Sequence, residues 1–242
     1  MIKYITVLIQ NNNSKELEKF FYDMYNSNIN FWMIYKGNGI RLRVNSFDKE
    51  LVTKLCGKYN SIKFNLSNYE PEIYTFGGRL TTDIIHNILC VVSVLSIQLN
   101  IRKNKDFVIA VKILLKIVSY SSLDKFEEWD IWKRVSEHRK IATEKDLKII
   151  CDNLYNIYLS LNKEEVYNSE IIELNLNKLK NYITELKEIT HNNFCDRGFR
   201  SIVSSIVIFS MNILKIEASY QIGVVNAITI LKNPDFVMEL KV

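Results

Sequence analysis

Residues 31–44 read FWMIYKGNGIRLRV, Phe31 through Val44, and they set the pattern for the first third of the chain. Phe31 to Tyr35 is aromatic and β-branched, as a half-buried strand requires. Lys36-Gly37-Asn38-Gly39 supplies the residues that tolerate positive φ in a tight hairpin. Ile40 to Val44 is the return strand. Its period of two sends Ile40, Leu42 and Val44 to one face and Arg41 and Arg43 to the other. Upstream, residues 2–9 alternate and are β-branched, and Asn13 with Glu16 reads as a helix start followed by Leu17, Phe20, Phe21 and Met24 at helical spacing. Downstream, Asp48 opens a second helix with Leu51, Val52, Leu55 and Cys56 as its apolar side. Gly57 lies near its end and Ser61 to Leu66 forms another strand. The order βαββαβ predicts a split βαβ, ferredoxin-like sheet.

Beyond residue 80 the period changes. Helical spacing predicts helices over 81–99, 106–120, 124–139, 143–160, 173–190 and 198–231, the last broken near Ser219. Thr143 with Asp146 marks one start, with Leu147, Ile150, Cys151, Leu154, Tyr158 and Leu161 as the expected buried stripe. Five of the seven glycines, and Pro71, fall before residue 80. The fold class expected is α+β: an N-terminal βαββαβ unit (1–79) packed on a mostly helical region (80–242) within a single unit spanning 1–242, because no repeat or low-complexity linker divides them.

Composition narrows the chemistry. The 242 residues are 48% apolar, enough for a packed core, and 32 basic against 27 acidic residues is too even a balance to point to nucleic acid. Cys56, Cys90, Cys151 and Cys195 stand far apart among only three histidines, so neither a metal site nor a disulfide is expected. The opening MIKYITVLIQ reads as a strand and not a signal peptide, which predicts a cytoplasmic protein. Two apolar stretches, 84–99 and 202–214, carry His86, Ser93, Ser96, Ser204, Ser210 and Asn212, so they read as buried helices and no membrane partner is expected.

Two places can carry chemistry. Arg41 and Arg43, about 7 Å apart along one strand face, either grip a carboxylate or phosphate or form a solvated sheet face. The segment YEPEIYTFGG, residues 69–78, sets Glu70, Glu72, Tyr69 and Tyr74 before a double glycine at the mouth of an apolar helix. Such a junction either frames a cleft or is a structural turn with its acids in salt bridges. Phosphate loops, serine-triad order and zinc-binding spacings do not occur.

FWMIYKGNGIRLRVNS (31–46), followed after a helix by YEPEIYTFGGRL (69–80), resembles the C-terminal, glutamate-eliminating domain of lantibiotic dehydratases and its stand-alone thiopeptide relatives; SSIVIFSMNILKIE (204–217) is similar to that family's C-terminal helix. Arg41, Arg43 and Glu72 match the family's charged positions. Thr75 stands where the family places an arginine, Gly39 where it usually has a histidine, and Ile208 and Ile213 where it has a histidine and an arginine. The branch that has replaced the eliminating residues is the pyridine synthases, which join two dehydroalanines in a formal aza-[4+2] cycloaddition.

This resemblance implies a cofactor-independent enzyme acting on a ribosomal precursor peptide, leader and modified core, with other biosynthetic enzymes as further partners. It also implies site roles: Arg43, Glu72, Tyr74 and Tyr35 as catalytic groups, and Arg41, Ser210 and Asn212 as substrate-binding groups. The resemblance leaves two alternatives open, a split glutamate lyase and a non-catalytic leader-binding scaffold. The sheet edge is a place where a peptide can add as a strand. His86 and Ser93 are expected in core or cleft-wall roles, and His138 and His191 at the surface.

Overall fold

The computed structural model describes residues 4–11, 14–36, 39–99, 107–140, 143–161, 170–192 and 195–235. Four strands, β1 (Tyr4–Asn11), β2 (Phe31–Lys36), β3 (Gly39–Asn45) and β4 (Ile62–Asn68), form one antiparallel sheet in the order β2-β3-β1-β4. With α1 (Ser14–Asn26) and α2 (Lys49–Gly57) between them, this is the βαββαβ arrangement expected. The hairpin turn at Gly37 and Asn38, and Asn13, lie outside the described residues.

The sheet has two buried faces. Val7, Ile9, Met33, Leu42 and Val44 meet Phe20, Phe21 and Met24 of α1 and Val52 and Cys56 of α2 in one core. Tyr4, Trp32 and Ile34 face the other way and join the helical core. Glu16 links two elements of this unit. Its carboxylate accepts from the Ser61 backbone N–H at 3.1 Å and from the Ser61 hydroxyl, tying α1 to the entry of β4.

The helical region contains α3 (Arg79–Gln98), α4 (Phe107–Ser121), α5 (Lys125–Glu137), α6 (Glu144–Leu161), α7 (Glu170–His191), α8 (Phe199–Ile213) and α9 (Ala218–Lys232). By length and composition α3 is apolar enough to cross a membrane, yet most of it is buried inside the fold, including His86, Ser93 and Ser96. It covers the outer edge of β2, where the Met33 N–H donates to Ser93 Oγ at 3.3 Å and the Tyr22 hydroxyl to the Ile97 carbonyl at 3.3 Å. The opposite edge, β4, is exposed along Asn65 to Asn68. All four cysteines are free thiols.

Two expectations need correcting. The break between the last helices falls at residues 214–217, before Ser219: Lys215 takes φ 57°, and the Ile216 N–H reaches back to the Met211 carbonyl at 3.0 Å. This left-handed cap normally signals itself as glycine, and here it is a lysine. In α6 Ile150 is buried and Leu154 packs against the core as expected, Leu147 and Cys151 are exposed while Asp146 and Ile157 are buried, and the side chains of Tyr158 and Leu161 lie outside the described residues. At its start the Thr143 hydroxyl donates to Asp146 at 2.8 Å, and α9 packs against this helix.

Candidate functional site

The register of β3 fixes what surrounds its arginines. Arg43 lies opposite Trp32 on β2 and Thr6 on β1; Arg41 lies opposite Ile34 and Leu8. Both arginines face the helical side of the sheet, as the alternation predicts, but at different depths. Arg43 is 5% exposed, with its guanidinium carbon 4.8 Å from the centroid of Tyr69 and 5.5 Å from that of Trp32. Arg41, one pleat further out, is only partly covered.

The loop over this face is held in shape by its own backbone. The Phe76 N–H donates to the Glu72 carbonyl and the Gly78 N–H to the Ile73 carbonyl, both at 2.9 Å. Thr82, one turn into α3, caps the Gly78 carbonyl with its hydroxyl at 2.6 Å. Gly77 and Gly78 have φ of 80° and 125°, and a Cβ on Gly77 would come within 2.5 Å of Ile202 Cδ1. The double glycine therefore serves both the turn and the close approach of α8.

That turn brings Tyr69 and His86, 17 residues apart, into contact. The Tyr69 hydroxyl donates to Glu72 Oε2 at 2.7 Å and lies 3.0 Å from His86 Nε2. Since the phenol has one hydrogen and it serves the carboxylate, the network assigns the second bond to a donating His86 Nε2–H. His86 is then neutral, with its lone pair on Nδ1. Burial, and then the neighbouring Arg43, push its pKa down to about 4. Burial together with the bond to Glu72 raises the Tyr69 phenol well above its ordinary range, and burial raises Tyr4. Burial also pulls Arg43 below its ordinary value, opposed by Tyr69 and Glu72.

Aromatic rings close the space. His86 stacks on Trp32 at 5.6 Å and meets Tyr4 edge-on at 4.8 Å; Phe209 of α8 contacts Trp32 at 6.2 Å and Phe76 at 5.1 Å. Within this box, Trp32 Nε1, Arg43 Nε and Nη1, and His86 Nδ1 are buried without a hydrogen-bond partner among the described residues. Unspent buried donors and acceptors are costly, so a polar group of a ligand that satisfies them gains correspondingly. The arrangement can hold a carbonyl or imidate oxygen and pass a proton through Tyr69 to Glu72.

Of the residues singled out from sequence, Arg43 and Glu72 come together through Tyr69, with Arg41 on the same sheet face. Tyr35 does not share that face: alternation on β2 sends it to the side of α1 and α2, where its ring lies 5.3 Å from Lys215 Nζ. Tyr74 is 83% exposed. Ser210 is fully buried with no partner for its hydroxyl among the described residues, and Asn212 accepts from Gln221 Nε2 at 3.0 Å in the corner between α8 and α9. His138 and His191 are exposed as expected. Trp32 and Tyr4 were not among the candidates, Tyr69 was named within the 69–78 segment without a role of its own, and His86 was read as core or cleft wall. A polar stripe at Thr82, His86 and Ser93 in an otherwise apolar helix was the available signal.

The profile of the family described as lantibiotic biosynthesis dehydratase C-term matches residues 6–223. The chain belongs to that family. Among solved structures, this dehydratase C-terminal-type domain is similar to the tRNA-dependent lantibiotic dehydratase MibB from Microbispora sp. 107891, with a TM-score of 0.53 and 12% sequence identity. The likeness covers 92% of this chain and 27% of MibB, so the domain spans about a quarter of that protein's length, and at this identity it speaks for the fold. No curated protein matches the domain.

Proposed function

We propose that the domain is a pyridine synthase: it closes a thiopeptide macrocycle by a formal aza-[4+2] cycloaddition between two dehydroalanines of a modified precursor peptide. The observation that carries this reading is the pairing of a buried, hydrogen-bond-deficient Arg43 with the Tyr69–Glu72 carboxylate unit, and apolar packing where an eliminating enzyme needs charged groups. Ile213 is fully buried and Ile208 packs against the helical core.

In the proposed reaction one dehydroalanine, with the amide preceding it, moves its amide hydrogen to oxygen and becomes a 2-azadiene. Two carbon–carbon bonds then form with the second dehydroalanine. Loss of water, and of the leader as its amide, aromatises the ring. Arg43 holds the imidate oxygen, and Tyr69 with Glu72 moves the proton. Holding two distant residues of one chain together supplies the larger effect, of which orientation can contribute roughly 7–11 kcal/mol.

A glutamate lyase is the second reading, and one contact favours it. Arg197 Nη1 reaches the Thr75 carbonyl at 3.4 Å, setting an arginine beside the loop position where the resemblance expects one. A pair of assays separates the two. With a dehydrated, azole-containing precursor the proposal predicts a new pyridine absorbance; with a glutamylated serine peptide it predicts no free glutamate. Glutamate release without ring formation overturns it.

A further inference from the structure

A polar recess lies where α5, α7 and the start of α8 meet. Glu127 and Arg134 of α5, Lys187 and His191 of α7, and Arg200 and Ser201 of α8 line a cavity of about 360 Å³. Its acids do not neutralise its cations. Asp130 places a single oxygen, Oδ2, between Arg134 Nε at 3.1 Å and Arg200 Nη1 at 2.9 Å, so one negative charge serves two guanidinium groups. Glu127 caps its own helix, accepting from the Leu123 N–H at 2.8 Å. Lys187 has a backbone carbonyl, that of Ser121, at 3.4 Å and the ring of Phe199 at 5.8 Å. The first turn of α8 adds Arg200 and no acid, although positive charge is unfavourable at a helix start. A local rule broken in this way marks a place where function sets the sequence.

The recess is tied to the candidate site. The Asp196 N–H donates to the Gly77 carbonyl at 2.8 Å and Arg197 Nη1 to the Thr75 carbonyl at 3.4 Å, so the segment that leads into Gly198 at the cavity is tied to the loop that carries Glu72. Arg134 and Arg200 share the Asp130 carboxylate, which shows the group their donors fit, and Arg134 Nη1 also donates to Ser201 Oγ at 3.1 Å.

We propose that this cavity binds a carboxylate side chain from an acidic segment of the peptide substrate. The proposal rests on the peptide-substrate reading above, and it adds a positioning role: charge at the cavity anchors the segment flanking the part that reacts.

The test is fluorescence anisotropy with a fluorescein-labelled Asp/Gly repeat peptide, its Asn/Gly counterpart, and unlabelled inorganic phosphate. The Asp peptide is expected to bind and the Asn peptide not. Arg200→Gln and Arg134→Gln should each weaken binding about tenfold. Lys58→Gln removes the same charge on the α2 side, where Lys58 pairs with Asp23 at 2.7 Å, and should leave affinity within about twofold. Arg200 is 48% exposed, so its replacement keeps the fold even if the Arg134 variant does not.

Equal loss in the Lys58 variant, or unchanged affinity in the Arg200 variant, overturns the proposal. So does phosphate that binds more tightly than the Asp peptide in an Arg200-dependent way. Binding is read without turnover: Arg200-dependent capture by a protein that closes no ring supports the cavity and counts only against the reaction. Ring formation on a peptide that the cavity variants bind normally overturns the cavity alone.

Discussion

The Tyr69 hydroxyl donates to Glu72 Oε2 at 2.7 Å, which makes the loop carboxylate and the aromatic box around Arg43 a single hydrogen-bonded unit. If that unit moves the proton, Glu72→Ala, Arg43→Ala and Tyr69→Phe each lower turnover roughly tenfold or more. Tyr69→Phe keeps the ring over Arg43, so its circular dichroism and melting temperature should stay close to wild type. Turnover within twofold of wild type in the Tyr69 variant would leave Glu72 acting without its partner.

His86 gives a pH signature. Its pKa in the fold, about 4, lies below the ordinary histidine value of about 6.5, so the unfolded chain binds the proton first as pH falls. The stability linked to a neutral His86 is therefore present above about pH 6.5 and is lost between there and about pH 4, up to about 3 kcal/mol. Urea unfolding at pH 7 and pH 4.5 should show His86→Phe losing less stability than wild type across that interval. Parallel losses in the two proteins would contradict a buried neutral imidazole.

Gly77 and Gly57 make an internal comparison. Gly77→Ala places a methyl against Ile202 at 2.5 Å on a backbone with φ of 80°, and should cost about 1–3 kcal/mol with loss of the loop's shape. Gly57 ends α2 with open space around a built Cβ, so Gly57→Ala should be neutral or stabilise by about 0.5–1 kcal/mol. Thermal melts of the two variants check this, and equal shifts would remove the argument for a constrained turn.

How far the sequence spoke can be followed residue by residue. The hairpin and the alternation Ile40-Arg41-Leu42-Arg43-Val44 declared the sheet and the face of the arginines, because strand period and turn chemistry are local. Glu72 was legible as part of a motif. Tyr69 and His86 were not legible as a pair, since their contact depends on two positive-φ glycines and on where α3 crosses β2. Tyr35 looked equivalent to its neighbours until parity on β2 placed it on the other face. The turn at Lys215 carried no glycine to announce it. In α6 the apolar spacing held at Ile150 and Leu154 and failed at Leu147 and Cys151, where Asp146, paired with the Thr143 hydroxyl, is buried instead.

The central claim is that this site closes a ring and frees the leader, and mass spectrometry of the reaction tests it most directly. The purified protein is incubated with a dehydrated, azole-containing precursor in the presence of a chelator. The account predicts an intact leader peptide and a macrocycle whose summed mass is that of the substrate less one water. A leader still attached to a dehydrated linear peptide, or a precursor that binds and keeps its mass, would contradict it.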